Sequence, residues 1–177
     1  MNYLLRGIGV LTTVGVVSLL AFSLPSGEAR GDSAHEGNAL PRLTHKAWQQ
    51  ECASCHIAYA PAFLPKASWR RVMGGLDQHF GENASLDPAT QADILRFLEA
   101  NAADAGASRM GNRVMQGMDA KSAPLRITET RWFVRQHDEV PRAAWSRKAV
   151  GSAANCAACH RQAEQGAFDE DAVRIPK

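Results

Sequence analysis

All four cysteines of the chain are spent on one repeated pentapeptide: Cys52-Ala53-Ser54-Cys55-His56 and Cys156-Ala157-Ala158-Cys159-His160. C-x-x-C-H is the spacing of covalent haem attachment. Two thiols three positions apart reach the two vinyl groups of one haem, and the adjacent imidazole falls beneath the iron as its proximal ligand. Two complete motifs with no cysteine left over predict two covalently bound haem c groups. They rest on Cys52, Cys55, Cys156 and Cys159, with His56 and His160 on the iron.

Other uses of these residues fit less well. A redox dithiol of the thioredoxin kind needs a βαβ setting, and no parallel-strand pattern surrounds either motif. Zinc ribbons place their two C-x-x-C knuckles about 15–20 residues apart, whereas Cys55 and Cys156 are 101 positions apart. Disulfides within i, i+3 pairs close loops too short to constrain the unfolded chain.

The N-terminus reads as an export signal. Arg6 gives a positive start, Gly7 to Leu24 carries no charge, and Gly27-x-Ala29 is a cleavage site of small residues. The alternative is a retained anchor, since 18 apolar residues lie at the short limit for a membrane span. Cleavage after Ala29 removes one basic and one acidic residue, leaving the net charge at the +2 of the whole chain. That balance, with no basic block, excludes nucleic acid as a partner. Export to the periplasm is what haem attachment in bacteria requires.

The mature chain reads as mainly α: 1–29 signal, 30–41 flexible lead, 42–105 first haem lobe, 106–124 connector, 125–177 second haem lobe. A helix from Thr44, its N-cap, leads into the first motif. Ser68 caps a second helix to Phe80, with Trp69, Val72, Met73, Leu76 and Phe80 on its apolar face. Asp87 and Pro88 start a third, reaching Asp104 before Gly106. Residues 106–124 are rich in Ala, Gly, Ser and Met, the composition of a loose connector. Arg126 to Val134 is extended by propensity. Pro141 to Lys148 forms a short helix, Ser152 caps the turn of the second motif, and the charged tail from Phe168 wraps the surface.

The second axial ligands must come from His35, His45, His79, His137 or a methionine, or the sites stay open. His79 is the first candidate, 23 residues after His56 on the apolar face of its helix, with Gly74-Gly75 leaving room for a flat macrocycle. His137, after Trp132-Phe133, is the candidate for the second haem, where Trp145 also packs. His45 competes, although Lys46 and Gln49-Gln50 suggest an exposed position, and His35 lies in the lead. Methionine ligation by Met110, Met115 or Met118 would raise the potential, and Met73 reads as core. The proximal histidine of the first motif needs an acceptor for its other N–H, sought in Tyr59 to Pro65.

These segments together carry a family resemblance. Glu51 through Pro61, Trp69, His79-Phe80-Gly81-Glu82-Asn83-Ala84-Ser85-Leu86, Arg126 through Val134 with His137, Asn155 through His160 and the ending Val173-Arg174-Ile175-Pro176 resemble the bacterial periplasmic dihaem cytochrome c family over residues 42–176. The resemblance implies an electron carrier with low-potential bis-histidine haems, His79 and His137 being the distal ligands. It implies a small oxygen-binding monohaem cytochrome c as partner and a membrane b-type cytochrome as possible donor. The first lobe is expected to resemble a small class I-type cytochrome c, the second to wrap its haem with little regular structure. The competing functions are a dihaem peroxidase or small-molecule reductase with one open iron, served by Glu129, Asp138 or Glu139, and a haem subunit or sensor of a membrane complex.

Overall fold

The computed structural model describes Leu40 and residues 42–119 and 121–177; the expected signal and lead, with His35, lie outside them. Among the described residues six α-helices follow in order: α1 (Lys46–Cys52), α2 (Lys66–Met73), α3 (Pro88–Ala100), α4 (Arg109–Met115), α5 (Arg131–Gln136) and α6 (Arg142–Trp145), linked by turns and short 3₁₀ segments. The fold is mainly helical. Among the described residues the β structure amounts to one isolated bridge, between His79 and Glu82, and no helix is long and apolar enough to cross a membrane.

Local chemistry explains most helix ends. The α3 start follows expectation: the Asp87 carboxylate accepts from the Ala89 and Thr90 amides, and Pro88 takes the first helical position. At α1 the cap is His45 rather than Thr44, its ring Nδ1 accepting from the Trp48 amide at 3.2 Å. Ser68 does not cap α2. That helix begins three residues earlier, because Pro65 holds the extended backbone an N-cap needs and the carboxylate of Asp104 accepts from the Lys66 amide at 2.9 Å. It also ends at Met73 rather than Phe80, at the Gly74-Gly75 pair.

Two stretches depart from their local propensity. Residues 109–115, expected to lie in a loose connector, form α4, whose Met110 and Val114 are buried against Phe63 and Ala103. Gly111 lets this helix press on the Ala103 backbone, where a Cβ would come within 2.6 Å of the carbonyl oxygen. The β-prone run Arg126–Val134 is likewise not extended. Thr130, 2% exposed, caps α5 by accepting from the Phe133 amide, and its hydroxyl donates to the Ile127 carbonyl. Packing of Phe133 overrides the β preference of its neighbours.

The core has two parts. Trp48, Leu64, Trp69, Met73, Ile94, Leu98 and Ala102 join α1, α2 and α3. Leu40, Ala62, Phe63, Ala103, Met110 and Val114 form the other, with Trp132 and Phe168 packed against it. The second part draws on residues far apart in sequence, from Leu40 to Phe168, and Phe63 stacks on Trp132 at 5.4 Å and meets Phe168 edge-on at 5.3 Å.

Candidate metal centres

Each pentapeptide is a compact turn. In the first, α1 ends at Cys52 and the Ser54 hydroxyl donates to the Glu51 carbonyl at 2.8 Å. In the second, a 3₁₀ turn covers Cys156–Ala158, and the His160 amide closes on the Cys156 carbonyl at 2.8 Å. Its entry is set by Asn155, whose side-chain amide donates to the Val150 carbonyl at 3.0 Å; no side-chain bond from Ser152 caps it. The tail is tied to this turn through the Arg174 amide, which donates to the Cys159 carbonyl at 3.1 Å. No disulfide joins the four cysteines. Burial pushes the thiols of Cys52 and Cys156 up to about 11, helped at Cys52 by the charge of Glu51.

The structure brings four of the predicted histidines together in two pairs. The rings of His56 and His79 have centres 6.1 Å apart with planes inclined at 27°. Those of His137 and His160 are 6.2 Å apart and nearly crossed, at 81°. A metal–imidazole bond is about 2 Å and the ring centre lies about 1.2 Å further, so two imidazoles trans on one iron have centres about 6.3 Å apart. Both pairs have that spacing, and each histidine pairs with the motif of its own part of the chain. Among the described residues no group of three or more His, Cys, Asp and Glu side chains could hold a metal ion. Two facing imidazole nitrogens at this spacing would fit a metal whose remaining ligands belong to a bound macrocycle.

The rings are held from behind. His56 Nδ1 lies 2.7 Å from the Ile57 carbonyl, so its acceptor is its own neighbour rather than a group of the Tyr59–Pro65 loop. His137 Nδ1 lies 2.9 Å from the Phe133 carbonyl one helical turn back, and Phe133 stacks on its ring at 4.0 Å. His160 Nδ1 is buried and has no hydrogen-bond partner. Burial, then the neighbouring His56, holds His79 below the ordinary histidine value; burial, then His137, does the same to His160. Both shifts favour the neutral imidazole, the form that binds metal.

His79 reaches its place in a way the helical pattern did not foresee. It sits not on a helix face but at the end of the 3₁₀ turn Leu76–Gln78, before a tight reversal in which Phe80 (φ 54°) and Gly81 (φ 106°) are both left-handed. The Glu82 amide closes the reversal on the His79 carbonyl at 3.0 Å. A phenylalanine in that region is strained by about 1 kcal/mol or more. It is retained by an edge contact with the His79 ring at 4.8 Å and by the Arg126 guanidinium 4.2 Å above its face.

His45 is accounted for elsewhere. One ring nitrogen caps α1, the other lies 3.1 Å from Asp93, and the ring stacks on Phe97 at 4.5 Å. Met73 and Met110 are buried core, and Met115 and Met118 pack against the second core cluster. A cavity of about 670 Å³ adjoins both attachment turns, touching Cys55, His56, Asn155 and Phe168. Of the four paired histidines it touches His56 alone, so it flanks the slots between the rings instead of coinciding with them. The sequence reading passed over the Ile57 carbonyl, Phe80 with Arg126, and the hydroxyl of Tyr59. Only Phe80 left a local sign, the glycine that follows it.

The family model for dihaem cytochrome c matches residues 48–168. A diheme cytochrome c from Rhodobacter sphaeroides is similar in structure, with a TM-score of 0.65 and 45% identity, covering 71% of this chain and 98% of its own. A diheme cytochrome type c from Shewanella baltica aligns with a TM-score of 0.60 and 39% identity, covering 74% and 92%. No curated protein matches the chain. The chain belongs to the dihaem cytochrome c family. It carries two covalently attached haem c groups, and its class is that of electron-transfer cytochromes.

Proposed function

We propose that both haems are closed by two histidines, His56 with His79 and His160 with His137, and that the protein relays single electrons between redox partners in the periplasm. Cys52 and Cys55 would hold the first haem by thioether bonds, Cys156 and Cys159 the second. When bound, haem c supplies an iron that passes between ferric and ferrous states. The chain's own residues do the rest. Ile57 and Phe133 orient His56 and His137 through their carbonyls, Phe80 and Phe168 pack edge-on against His79 and His160, and burial disfavours the charged form of His79 and His160. The observation that carries this reading is the pair of ring separations, 6.1 and 6.2 Å, each spanning one motif histidine and one distant histidine. Closed coordination in both oxidation states leaves little to reorganise, which suits electron transfer and not bond-making.

The partner we infer from the sequence resemblance is a small oxygen-binding monohaem cytochrome c, with a membrane b-type cytochrome as donor. Redox encounters of this kind bury little area and dissociate readily. Phe80, 47% exposed beside His79, offers an apolar contact near the first pair.

Optical and EPR spectra with carbon monoxide test the reading. Two low-spin ferric signals, and no optical shift when carbon monoxide meets the reduced protein, are expected. The signals should differ. Nearly parallel imidazoles split two iron d orbitals and give a rhombic spectrum, whereas crossed ones leave those orbitals close in energy and raise the largest g value. A high-spin signal or a carbon monoxide shift reveals an open iron and returns the peroxidase, reductase or sensor reading.

A further inference from the structure

Tyr59 stands where the two attachment turns meet. Its ring stacks on the His56 imidazole, centres 4.8 Å apart and planes inclined at 25°. Its hydroxyl donates to the carbonyl of Ala154 at 2.7 Å, across 95 positions of sequence. That same carbonyl oxygen lies 3.6 Å from the sulfur of Cys156, two residues on. One side chain thus touches the proximal ligand of the first motif at one end and, at the other, the backbone that presents a thiol of the second.

A packing role accounts for only part of this. The ring lies at the margin of the first core cluster, where phenylalanine would fill the same space. The hydroxyl points out of that cluster to an acceptor on the opposite turn. Tyrosine has two side-chain torsions, and with a stack at one end and a hydrogen bond at the other both are fixed. It is a short, stiff strut between the two attachment turns.

We propose that Tyr59 is a positioning residue that fixes the spacing and mutual orientation of the two haem-attachment turns, and thereby the electron exchange between the haems. The proposal rests on the relay reading above. In the exchange one electron leaves one iron and arrives at the other. No bond changes, no proton moves and Tyr59 is not oxidised. Because exchange falls steeply with the gap between centres, loosening one strut has a readable effect.

The test uses the holoprotein and Y59F, which loses only the hydroxyl, with Y59L as a second variant that loses the stack as well. Flash photoreduction by a single electron, followed by optical relaxation, reads the exchange rate. Pulsed EPR of the oxidised protein reads the distribution of iron–iron distances. Y59F is expected to keep both haems and both low-spin signals, to exchange electrons severalfold more slowly and to show a broader distribution; Y59L is expected to go further. Should Y59L lose a haem, Y59F decides alone. A Y59F protein with the wild-type rate and distribution overturns the proposal, whether or not its melting temperature falls. An iron open to carbon monoxide in the wild type, or no exchange between its haems, overturns the relay reading itself before any variant is made.

Discussion

The surroundings of the first histidine pair are built by helices; those of the second are built by turns. Around the first, α1, α2 and α3 bury Trp48, Leu64, Trp69, Ile94 and Leu98 among themselves, and His56 is oriented by a carbonyl hydrogen bond. Around the second, α5 and α6 are 6 and 4 residues long, and the motif sits in a 3₁₀ turn. There the proximal ring has an unsatisfied buried nitrogen and is packed by Phe168 at 5.3 Å, a residue that itself leans on Phe63 from the other region. Helices this short are marginal without tertiary support. The lesson is that one attachment motif can sit in two kinds of scaffold: one packed among helices, and one made of turns and leaning on a side chain shared with the other region.

The sharpest way to break the comparison is to remove each haem in turn. C156A/C159A is expected to strip hydrogen-exchange protection from residues 142–177 while α2 and α3 keep theirs. C52A/C55A should leave α3 largely protected. Equal losses in the two variants would erase the distinction. Next in size, Ile94, wholly buried in the helical core, should cost about 2–5 kcal/mol on Ile94→Ala, read by denaturant unfolding of the holoprotein. Thr130→Ala removes the cap of α5 and is expected to cost about 1–2 kcal/mol. Its loss should fall on the surroundings of His137, so the optical bands of the second haem should change before those of the first; a uniform loss of stability would count against that localisation.

The smallest effect concerns acid. The Asp87 carboxyl is held below its ordinary value by hydrogen bonds, first from Thr90 and also from Ala89. A depressed folded value means that its contribution is present above the unfolded value of about 3.9 and is lost as pH falls through the folded value. Asp87→Asn keeps a capping side chain but cannot titrate. Its melting temperature should therefore fall less than the wild type's between about pH 5 and pH 2; parallel slopes would show that the cap does not contribute through its charge.

Legibility followed the range of the interactions involved. The start of α3 was readable because Asp87 and Pro88 act within one turn. The start of α2 was not, because its cap comes from Asp104, 38 positions away. Composition concealed α4, whose glycine is required by contact with Ala103. Propensity misled at Arg126–Val134, where burial of Phe133 and the Thr130 cap decide the backbone. Helical spacing points to His79, which lies instead at the end of a 3₁₀ turn and still stands opposite His56.

By itself the sequence determined the chemistry of attachment. Thioether formation and proximal ligation need only five consecutive residues, and covalent geometry fixes what such a pentapeptide can reach. It also narrowed the second ligands to a few imidazoles. Tertiary structure alone decided which histidine faces which, made His45 a helix cap paired with Asp93, and set the Tyr59 hydroxyl against Ala154. Those outcomes depend on closing loops of tens of residues, and only the packing of the two core clusters fixes where such loops end.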